Sequence, residues 1–500
     1  MKPISEKRDE TSGINSRSRL FKLFTLIEAV CLLFIILSLF LNLITRSLAL
    51  IAGYFTVLAG CFLLTYGLRK VLFEKGSLLI RIVYFTALTL LVRLPVCVFL
   101  NLTPQGDYGG FLSIAHKLYT GQEMDMFYFG IFPHSINFPA FLTFLYQLLG
   151  EHTWVPRAVN LVLGSMEAGF AAGIMEMCAG RKAGAAAGIF VALNPSILVF
   201  TLLPGGEYLY SALLTGAFFF FTLSLREQGS KRYLYLGAAG VFCAAGNYFR
   251  PTGILFVLAV LLYYFLFAKA RLKQRLGSAA VLMAIFLIGS TALGLVTTSV
   301  SGYEKPSSSY GWNLYVGGNY ESGGAWSSED AQAFEEAKTQ YATPSLFQSH
   351  FAELGLERYR EMGLRIPEHF KNKLALWNNE AFTAGVITGW QSVYTRFQSS
   401  DLYEAYTDLI TRFNGLVLFG ALLAMAGLSI TGKTEGTLRA MSVYMLGAMV
   451  AFMILEFAGR YKGAFYSTLT MLSVYGYMKA WILLKKWKQG VVIPSFFWYH

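Results

Sequence analysis

Apolar residues fall in runs of about 18 to 24 along this chain, and shorter polar segments separate most of the runs. A helix of roughly 20 apolar residues crosses the roughly 30 Å hydrocarbon core of a bilayer. The pattern therefore predicts an all-α polytopic membrane protein with about twelve transmembrane helices. The predicted spans are residues 24–44, 50–68, 78–100, 156–179, 184–203, 207–225, 234–250, 252–268, 277–297, 413–431, 440–456 and 463–484.

Basic residues are concentrated in alternate loops between the runs. Cytoplasmic loops of membrane proteins carry an excess of Lys and Arg, so both termini are predicted to be cytoplasmic. The two long polar regions, 101–155 and 298–411, are then predicted outside the cytoplasm. The basic segments contain Lys7, Arg8, Arg17, Arg19, Lys22, Arg69, Lys70, Lys75, Arg181, Lys182, Arg226, Lys231, Arg232, Lys269, Arg271, Lys273, Arg275, Lys433, Arg439, Lys485, Lys486 and Lys488.

Composition agrees with a membrane protein and excludes several classes. The chain has 500 residues, of which 55% are hydrophobic and 14% charged, against roughly 25% charged in soluble proteins. The net charge of +12 sits in short loops rather than on a soluble face, so no nucleic-acid partner is expected. The five cysteines lie inside apolar runs and are expected to be small buried hydrophobic residues without disulfides. No Walker loop and no His/Cys metal cluster is present, which disfavours a nucleotide-driven pump.

The two outer regions differ in pattern. Region 101–155 contains partly apolar pieces, such as residues 138–149, that are typical of helices in the membrane interface. Region 298–411 opens with a Gly-, Ser- and Tyr-rich loop, and Ser327 followed by Asp330 predicts a capped helix start. The first apolar run is too long for a signal-peptide core and is predicted to be a retained helix.

Three polar residues at the outer ends of predicted spans are candidates for chemistry. Asp107, in TPQGDYGG, could take a proton from an acceptor hydroxyl as a general base, or simply be a turn residue. Glu207 opens a span, where the helix dipole alone favours a carboxylate. Arg250 lies in a short outer turn, where it could bind a lipid phosphate or snorkel to the interface.

Further charged residues lie near or inside the spans. Glu456, Arg460 and Tyr461, in EFAGRY, could position a substrate, or the two charged residues could merely pair at i, i+4. Charges inside a bilayer are costly and are functional candidates by default. Those inside predicted spans are Arg93, Glu167 and Glu176, of which Glu176 could instead extend toward Arg181 and Lys182.

In order and sidedness these landmarks resemble the GT-C glycosyltransferases of the protein O-mannosyltransferase and aminoarabinose lipid A transferase type. The resemblance covers most of residues 78–470. The matching residues are Arg93, Asp107, Tyr108, Ala115, Leu118, Gly121, the segment FPHSINFPAFLTFLYQLLG ending at Gly150, Glu207 after Pro204, the pair Arg250 and Pro251, and Glu456, Arg460 and Tyr461. The chain departs from the family where Ser135 and Ile136 replace a usual double proline.

Bacterial members of that family also carry a loop similar to GWNLYVGGNYESGGAW, here Gly311 to Trp326, followed by a helix with Pro367, Phe370, Lys373 and Trp377. The resemblance implies that this loop covers the site and helps to select the acceptor. It implies a location in a bacterial plasma membrane, with the active site outside the cytoplasm. The residues assigned to the acceptor loop are Trp312, Asn313, Asn319 and Trp326.

The resemblance implies an inverting transfer of a hexose or pentose from a polyprenyl-phosphate donor to a hydroxyl of a cell-envelope glycan, lipid or protein. Asp107 would be the base, with Glu207 or Asp125 as its acidic partner. No metal ligand is assigned and no cofactor is certain; a divalent metal is compatible with the reaction but is not indicated, because cationic side chains can stabilise the leaving phosphate. The residues expected on the donor side are Arg250, His134 (where some members place a Lys), Arg460, Glu456, Tyr461 and Arg93.

Other functions compete with this interpretation. A transporter or lipid flippase also fits twelve spans, but such proteins often show two related halves with charged residues near the membrane midplane. The sequence shows no matching halves, and its polar groups gather at the predicted outer face. A polymerase or ligase of lipid-linked glycans would use similar outer basic residues. A membrane scaffold would leave the order of the landmarks unexplained.

The sequence is thus divided into six segments. They are a cytoplasmic tail at 1–23, two additional helices at 24–77, a GT-C-like core at 78–297 that contains the outer loop 101–155, the outer-face loop domain at 298–411, three helices at 412–484, and a cytoplasmic tail at 485–500.

Overall fold

A computed structural model describes residues 48–100, 102–303, 310–389, 400–430 and 436–488. The predicted span 24–44, Cys31 and both predicted terminal tails except residues 485–488 lie outside this part of the chain. The chain divides into two units, Met1–Val57 and Leu58–His500, and the candidate site lies entirely in the second.

Each predicted span within the described residues coincides largely with a helix. Region 298–411 is called the outer region after its predicted location. The helices that precede it are α1 (Leu48–Gly67), α2 (Leu78–Phe99), α3 (Gly106–Thr120), α4 (Phe127–Ile131), α5 (His134–Leu149), α6 (Trp154–Ala179), α7 (Arg181–Leu193), α8 (Pro195–Thr201), α9 (Gly206–Arg226), α10 (Gly229–Phe249), α11 (Gly253–Leu262) and α12 (Leu272–Ser301). Those of the outer region are α13 (Gly311–Gly317), α14 (Ser328–Gln340), α15 (Pro344–Met362), α16 (Ile366–Ala375) and α17 (Ala381–Gly389). The last are α18 (Ser400–Ile430), α19 (Gly436–Ile454) and α20 (Tyr466–Lys488).

The all-helical membrane architecture agrees with the prediction, but the number of spans is lower by strict criteria. Of the described helices, 6 are long and apolar enough to cross a membrane, and 7 if one bent pair is a single span. The count of twelve therefore stays a prediction. The predicted boundaries also move, because α12 continues to Ser301 and α18 already begins at Ser400.

The bent pair replaces the continuous helix predicted over 184–203. Helices α7 and α8 meet at an angle of 55°. Pro195 cannot donate a backbone hydrogen bond and clashes with a preceding helical turn, so it starts a new helix. The Asn194 side chain caps that helix by accepting from the backbone N–H groups of Ser196 at 2.9 Å and Ile197 at 3.1 Å.

Small residues let the membrane helices approach closely. A Cβ atom added at Gly169 of α6 would lie 2.7 Å from the carbonyl oxygen of Ile82 on α2. Along the same interface Arg81 binds Glu176 through two hydrogen bonds of 2.5 Å each. Glu176 therefore pairs with Arg81 on the neighbouring helix, a partner that the sequence analysis did not name.

The outer region packs around a cluster of aromatic residues. Trp312 is fully buried at its centre. Helix α14 begins as predicted, because Ser327 and Asp330 form a reciprocal capping box. Asp330 also pairs with Arg358 at 2.9 Å, which fixes α14 against α15. The cluster consists of Ile131, Phe132, Trp312, Tyr315, Val316, Phe334, Ala337, Phe347 and Phe351.

Main-chain hydrogen bonds join the outer region to the segment after α19. The backbone N–H of Glu456 donates to the carbonyl of Asn313 at 2.7 Å, and that of Phe457 donates to the carbonyl of Gly324 at 3.2 Å. The Lys373 ammonium donates to the carbonyl of Leu455 at 2.7 Å. This junction holds the loop 311–326 directly above Glu456.

A buried polar network closes the other end of the outer region. Glu380 accepts hydrogen bonds from Lys462 at 2.9 Å, Asn414 at 3.0 Å and Tyr466 at 2.7 Å. Ser196 also donates to it, at 3.2 Å. The side chains of Glu380 and Lys462 are 0% and 2% exposed, so the network binds α17, α18 and α20 together without solvent.

Candidate active site

Asp107 stands at the start of α3, shortly after the end of α2. Gly106 precedes it with a positive φ of 54°, a conformation that glycine adopts readily, and this turn starts the helix. The Asp107 side chain is 48% exposed and its Oδ2 atom lies 2.6 Å from Nη2 of Arg460. A carboxylate held by one guanidinium and still open to solvent can receive a proton from a bound hydroxyl.

Glu207 and Arg250 form a second ion pair beside the first. Glu207 lies in the first turn of α9, and Arg250 is the C-cap residue of α10. A guanidinium nitrogen of Arg250 donates to Oε1 of Glu207, whose side chain is only 2% exposed. A Cβ atom at Gly205 would lie 2.6 Å from the Tyr108 ring and 2.8 Å from Oε2 of Glu207, so a larger residue there would displace one of these side chains.

Arg460 connects the two carboxylates. Besides its contact with Asp107, its Nε atom lies 4.0 Å from Oε1 of Glu207, which is too long for a hydrogen bond. The geometry favours Glu207 over Asp125 as the acidic partner. Asp125 instead accepts from the backbone N–H of Phe127 at 2.9 Å and lies 3.7 Å from Lys338.

Tyr461 and Glu456 line the same charged cluster. The guanidinium carbons of Arg250 and Arg460 each lie 5.3 Å from the centre of the Tyr461 ring, within the range of a cation–π contact. The Tyr461 hydroxyl donates to Oε1 of Glu456 at 2.9 Å. Glu456 lies beyond the end of α19, and burial raises the pKa of its carboxyl, which favours the protonated form.

His134 begins α5 beside a cavity of about 50 Å³ that extends toward α12. Burial, together with the positive charges of Arg250 and Arg460, lowers the pKa of His134 to about 3. The imidazole is therefore neutral at physiological pH and can serve a phosphate as a hydrogen-bond donor but not as a cation. The cavity is lined in part by Asn137, Tyr248, Pro251, Thr297 and Tyr303.

The structure does not bring Arg93 into this cluster. Arg93 is fully buried in α2, where its guanidinium donates to the carbonyls of Ala192 at 3.1 Å, Val191 at 2.6 Å and Gly164 at 3.2 Å. It also hydrogen-bonds to the hydroxyl of Tyr208. These bonds satisfy its charge inside the helix bundle, and they fasten α2 to α6 and α7.

The residues assigned to the acceptor loop occupy different places. Trp312 is fully buried in the aromatic cluster, and Asn319 donates to Asp330 at 3.0 Å inside the outer region. Asn313 contributes its backbone carbonyl to the junction at Glu456. Trp326 is 41% exposed and its side chain lies near Glu456, so it is both at the cluster and open to a ligand.

Sequence reasoning missed the chemistry of Lys373 and the pairing of Glu380 with Lys462. Lys373 is 1% exposed, and burial lowers its pKa to about 7. The resemblance of helix α16 to a family pattern placed Lys373 in a helix but did not indicate that its ammonium group is buried. Glu380 directly precedes α17, where an acidic residue resembles an ordinary helix start, so the sequence carried no signal of the network.

Two buried polar atoms of the cluster have no hydrogen-bond partner among the described residues. They are Oε2 of Glu207 and Nε of Arg460. The Nε–H of Arg460 can donate to an arriving anion, whereas Oε2 of Glu207 can accept only from a donor such as a hydroxyl or a water molecule. Within the described ranges, no group of three or more His, Cys, Asp or Glu side chains is arranged to hold a metal ion.

Comparison with known families confirms the predicted resemblance for part of the chain. Residues 133–293 match the family model of dolichyl-phosphate-mannose-protein mannosyltransferases. The matched segment contains His134, Glu207 and Arg250 of the charged cluster. No curated protein sequence matches the chain.

Solved structures with similarity to the chain share little of its sequence. The apo oligosaccharyltransferase of Archaeoglobus fulgidus is 11% identical, with a TM-score of 0.47, over 85% of this chain and 53% of that one. AglB of the same organism, bound to an inhibitory peptide and a dolichol-phosphate, is 12% identical, with a TM-score of 0.41, over 82% and 52%. ArnT of Cupriavidus metallidurans, bound to undecaprenyl phosphate, is 13% identical, with a TM-score of 0.36, over 83% and 81%. The chain thus spans about half the length of the archaeal structures.

Proposed function

We propose that this chain is a membrane glycosyltransferase that moves a sugar from a polyprenyl phosphate to an acceptor hydroxyl on the outer face of the membrane. The observation that carries the proposal is the linked cluster of Asp107, Arg460, Glu207 and Arg250. It combines one accessible carboxylate with two arginines and with buried atoms that lack partners. The family match over residues 133–293 supports a donor of the dolichyl-phosphate-sugar type.

Asp107 is the general base of this reaction. Its carboxylate takes the proton of the acceptor hydroxyl while the acceptor oxygen forms a bond to the anomeric carbon. The bond from that carbon to the phosphate oxygen breaks on the opposite face, and its electron pair stays with the polyprenyl phosphate. The sugar configuration is therefore inverted. Glu207 is too buried to meet the acceptor and serves to hold both arginines.

Arg250 and Arg460 bind the departing phosphate. The guanidinium groups of Arg250 and Arg460 pair with Glu207 and Asp107, and an arriving phosphate can accept from the Nε–H of Arg460, which lacks a partner among the described residues, and share the donors of Arg250. Negative charge develops on the phosphate oxygen as the bond breaks, and fixed cations in a buried site stabilise that charge. The neutral imidazole of His134 adds a hydrogen bond. Trp326 offers its exposed face to the acceptor.

The decisive experiment measures transfer from radiolabelled polyprenyl-phosphate sugars, of hexose and pentose type, in membranes that contain the wild type or Asp107→Asn. Removal of a general base lowers a rate by about 100-fold or more. The matched control is Asp125→Asn, which removes an exposed carboxylate that also lies in region 101–155 but outside the cluster. The proposal expects transfer by the wild type and by the control but not by Asp107→Asn.

Equal rates of sugar transfer by Asp107→Asn and the wild type would show that Asp107 is not the general base. Folding must be equal for the comparison to hold, and an exposed ion pair contributes only about 1 kcal/mol or less to stability. The elution profile and thermal midpoint of each purified variant check this. Label that crosses the bilayer on its intact lipid, without transfer, would indicate a flippase.

A further inference from the structure

A second cavity lies at the opposite ends of the helices that carry the candidate active site. It has a volume of about 330 Å³. Helix α9 begins at the active site with Glu207 and ends at this cavity with Arg226. A helix of 21 residues is about 30 Å long, so the two sites are separated by roughly the thickness of the hydrocarbon core. The lining residues are Thr222, Leu225, Arg226, Arg232, Tyr263, Tyr264, Ala268, Lys269, Ala270, Gly436 and Thr437.

Three cationic side chains line this basic cavity, namely Arg226, Arg232 and Lys269. No carboxylate belongs to its lining within the described part of the chain. Arg232 is only 8% exposed, and its Nε atom has no hydrogen-bond partner among the described residues. Its guanidinium carbon lies 5.7 Å from the centre of the Tyr264 ring. A buried guanidinium is costly unless it is paired, so the cavity is built for an anion that supplies the missing acceptor.

The surroundings of the cavity identify the class of anion. The segment Tyr263–Phe267 forms part of the wall and continues into exposed apolar side chains. Phe265, Leu266 and Phe267 are 49%, 67% and 38% exposed. A ligand with a phosphate at one end and acyl chains at the other matches both surfaces, because the phosphate meets the arginines while the chains cover the apolar residues.

We propose that this basic cavity binds the phosphate headgroup of an anionic glycerophospholipid in the leaflet opposite the candidate active site. The phosphate accepts hydrogen bonds from Arg232 and Lys269, and the lipid tails lie along Phe265 and Leu266. The shared chemistry is a phosphate monoester or diester, which a soluble phosphate compound also presents. The lipid is favoured by the apolar residues beside the cavity.

The test is native mass spectrometry of the purified full chain with phosphatidylglycerol or phosphatidylcholine of equal acyl length. The wild type is expected to retain phosphatidylglycerol more strongly. Each cation near a membrane surface contributes a factor of about five to the affinity for an anionic lipid. Lys269→Gln and Arg232→Gln are therefore each expected to weaken phosphatidylglycerol binding about fivefold. The control Lys273→Gln removes an exposed charge that does not line the cavity and should change nothing.

The outcomes distinguish a lipid phosphate from a soluble phosphate compound, or reject the site. Displacement of phosphatidylglycerol by soluble glycerol phosphate in the wild type but not in Lys269→Gln would assign the site to free phosphates. Equal retention of the two lipids, or equal losses in Lys269→Gln and Lys273→Gln, would overturn the proposal. If Arg232→Gln fails to fold, the exposed Lys269 carries the comparison alone. Sugar transfer is a separate readout, so this test does not depend on the proposed reaction.

Discussion

At the scale of single residues, Asp107 and Glu207 show how two side chains with the same carboxylate group can have different roles in different surroundings. Both carboxylates lie within 4.0 Å of Arg460, yet the side chain of Asp107 is 48% exposed and that of Glu207 is 2% exposed. An exposed carboxylate can reach the hydroxyl of a substrate, whereas a buried carboxylate bound to arginine serves to orient its partners. The proposed roles of base and holder follow from this difference.

His134 supplies a prediction about pH. With a pKa of about 3, its imidazole is neutral throughout the range from pH 5 to pH 8. His134→Gln is therefore expected to lower the transfer rate severalfold through a lost hydrogen bond, worth about 1 kcal/mol, without altering the shape of the pH–rate profile. The rate is measured at intervals across that range. Loss of a limb near pH 6 in the variant would show that the histidine is a cation in the enzyme.

The lowered pKa of His134 also makes the stability of the folded protein depend on pH. Its pKa is lower in the folded protein than in an unfolded chain, where it is about 6.5. Between these values the unfolded state binds more protons, so this residue adds stability as pH rises from about 3 to about 6.5. His134→Gln is expected to reduce the acid sensitivity of the thermal midpoint in that range.

The sequence identified the members of the charged cluster because they stand at the predicted outer ends of spans, where the intervening short loops are poor in Lys and Arg. Asp107, Glu207, Arg250 and Arg460 were each identified by position, and the structure brings them together. Arg93 met the same criterion but is satisfied by carbonyls of α6 and α7. Its partners lie 71 to 115 positions away in the chain, and no local pattern reveals such distant contacts.

At the scale of elements, the loop from α13 to α14 carries two tryptophans with different surroundings. Trp312 fills the aromatic cluster, whereas Trp326 is 41% exposed at Glu456. The GWNLYVGGNYESGGAW pattern predicted a loop over the site but could not distinguish a packed indole from one that faces the ligand. That distinction depends on the tertiary fold of α14 and α15.

Substitution of the two tryptophans should therefore have different consequences. Trp312→Ala is expected to destabilise the outer region by about 3–5 kcal/mol, because it opens a cavity in the cluster. Limited proteolysis of the region 310–389 measures this loss. Trp326→Ala is expected to leave proteolysis unchanged and to raise the acceptor KM. Equal proteolysis of both variants would contradict the assignment of Trp326 to the ligand face.

The Glu380 network gives a prediction about how α17 is held to α20. Removal of one partner of a buried ion pair leaves an uncompensated charge and costs about 3–5 kcal/mol. Glu380→Ala should be destabilised by this amount, and adding Lys462→Met should restore part of the loss. The comparison uses thermal midpoints of the purified single and double variants. Additive losses would show that the two side chains do not interact.

At the scale of the whole molecule, the sequence predicted the positions of the described membrane helices better than their lengths and breaks. Apolar runs located them because lipid contact requires such runs. Pro195 nevertheless broke the helix predicted over 184–203, and the segment 253–267 is shorter than a full span. Turns and breaks depend on single residues, so a hydropathy average does not resolve them.

The proposed topology can be tested at one site. Leu364 is 100% exposed at the surface of the outer region. Cysteine at this position, in a chain with Cys31 replaced by Ser, should react with a membrane-impermeant maleimide in intact cells. The four described cysteines are buried, so the background is expected to be low. Labelling that requires permeabilised cells would place the region 310–389 in the cytoplasm and overturn the outer-face site.

The junction between the outer region and the cluster consists largely of main-chain atoms. Asn313, Gly324 and Leu455 each contribute a carbonyl, and Glu456 and Phe457 each contribute an N–H. Such bonds survive most replacements of the side chains that flank them. Side chains on the loop 311–326 can therefore change during evolution, and with them the acceptor that is preferred. The main-chain bonds that hold the loop beside the proposed active site are kept.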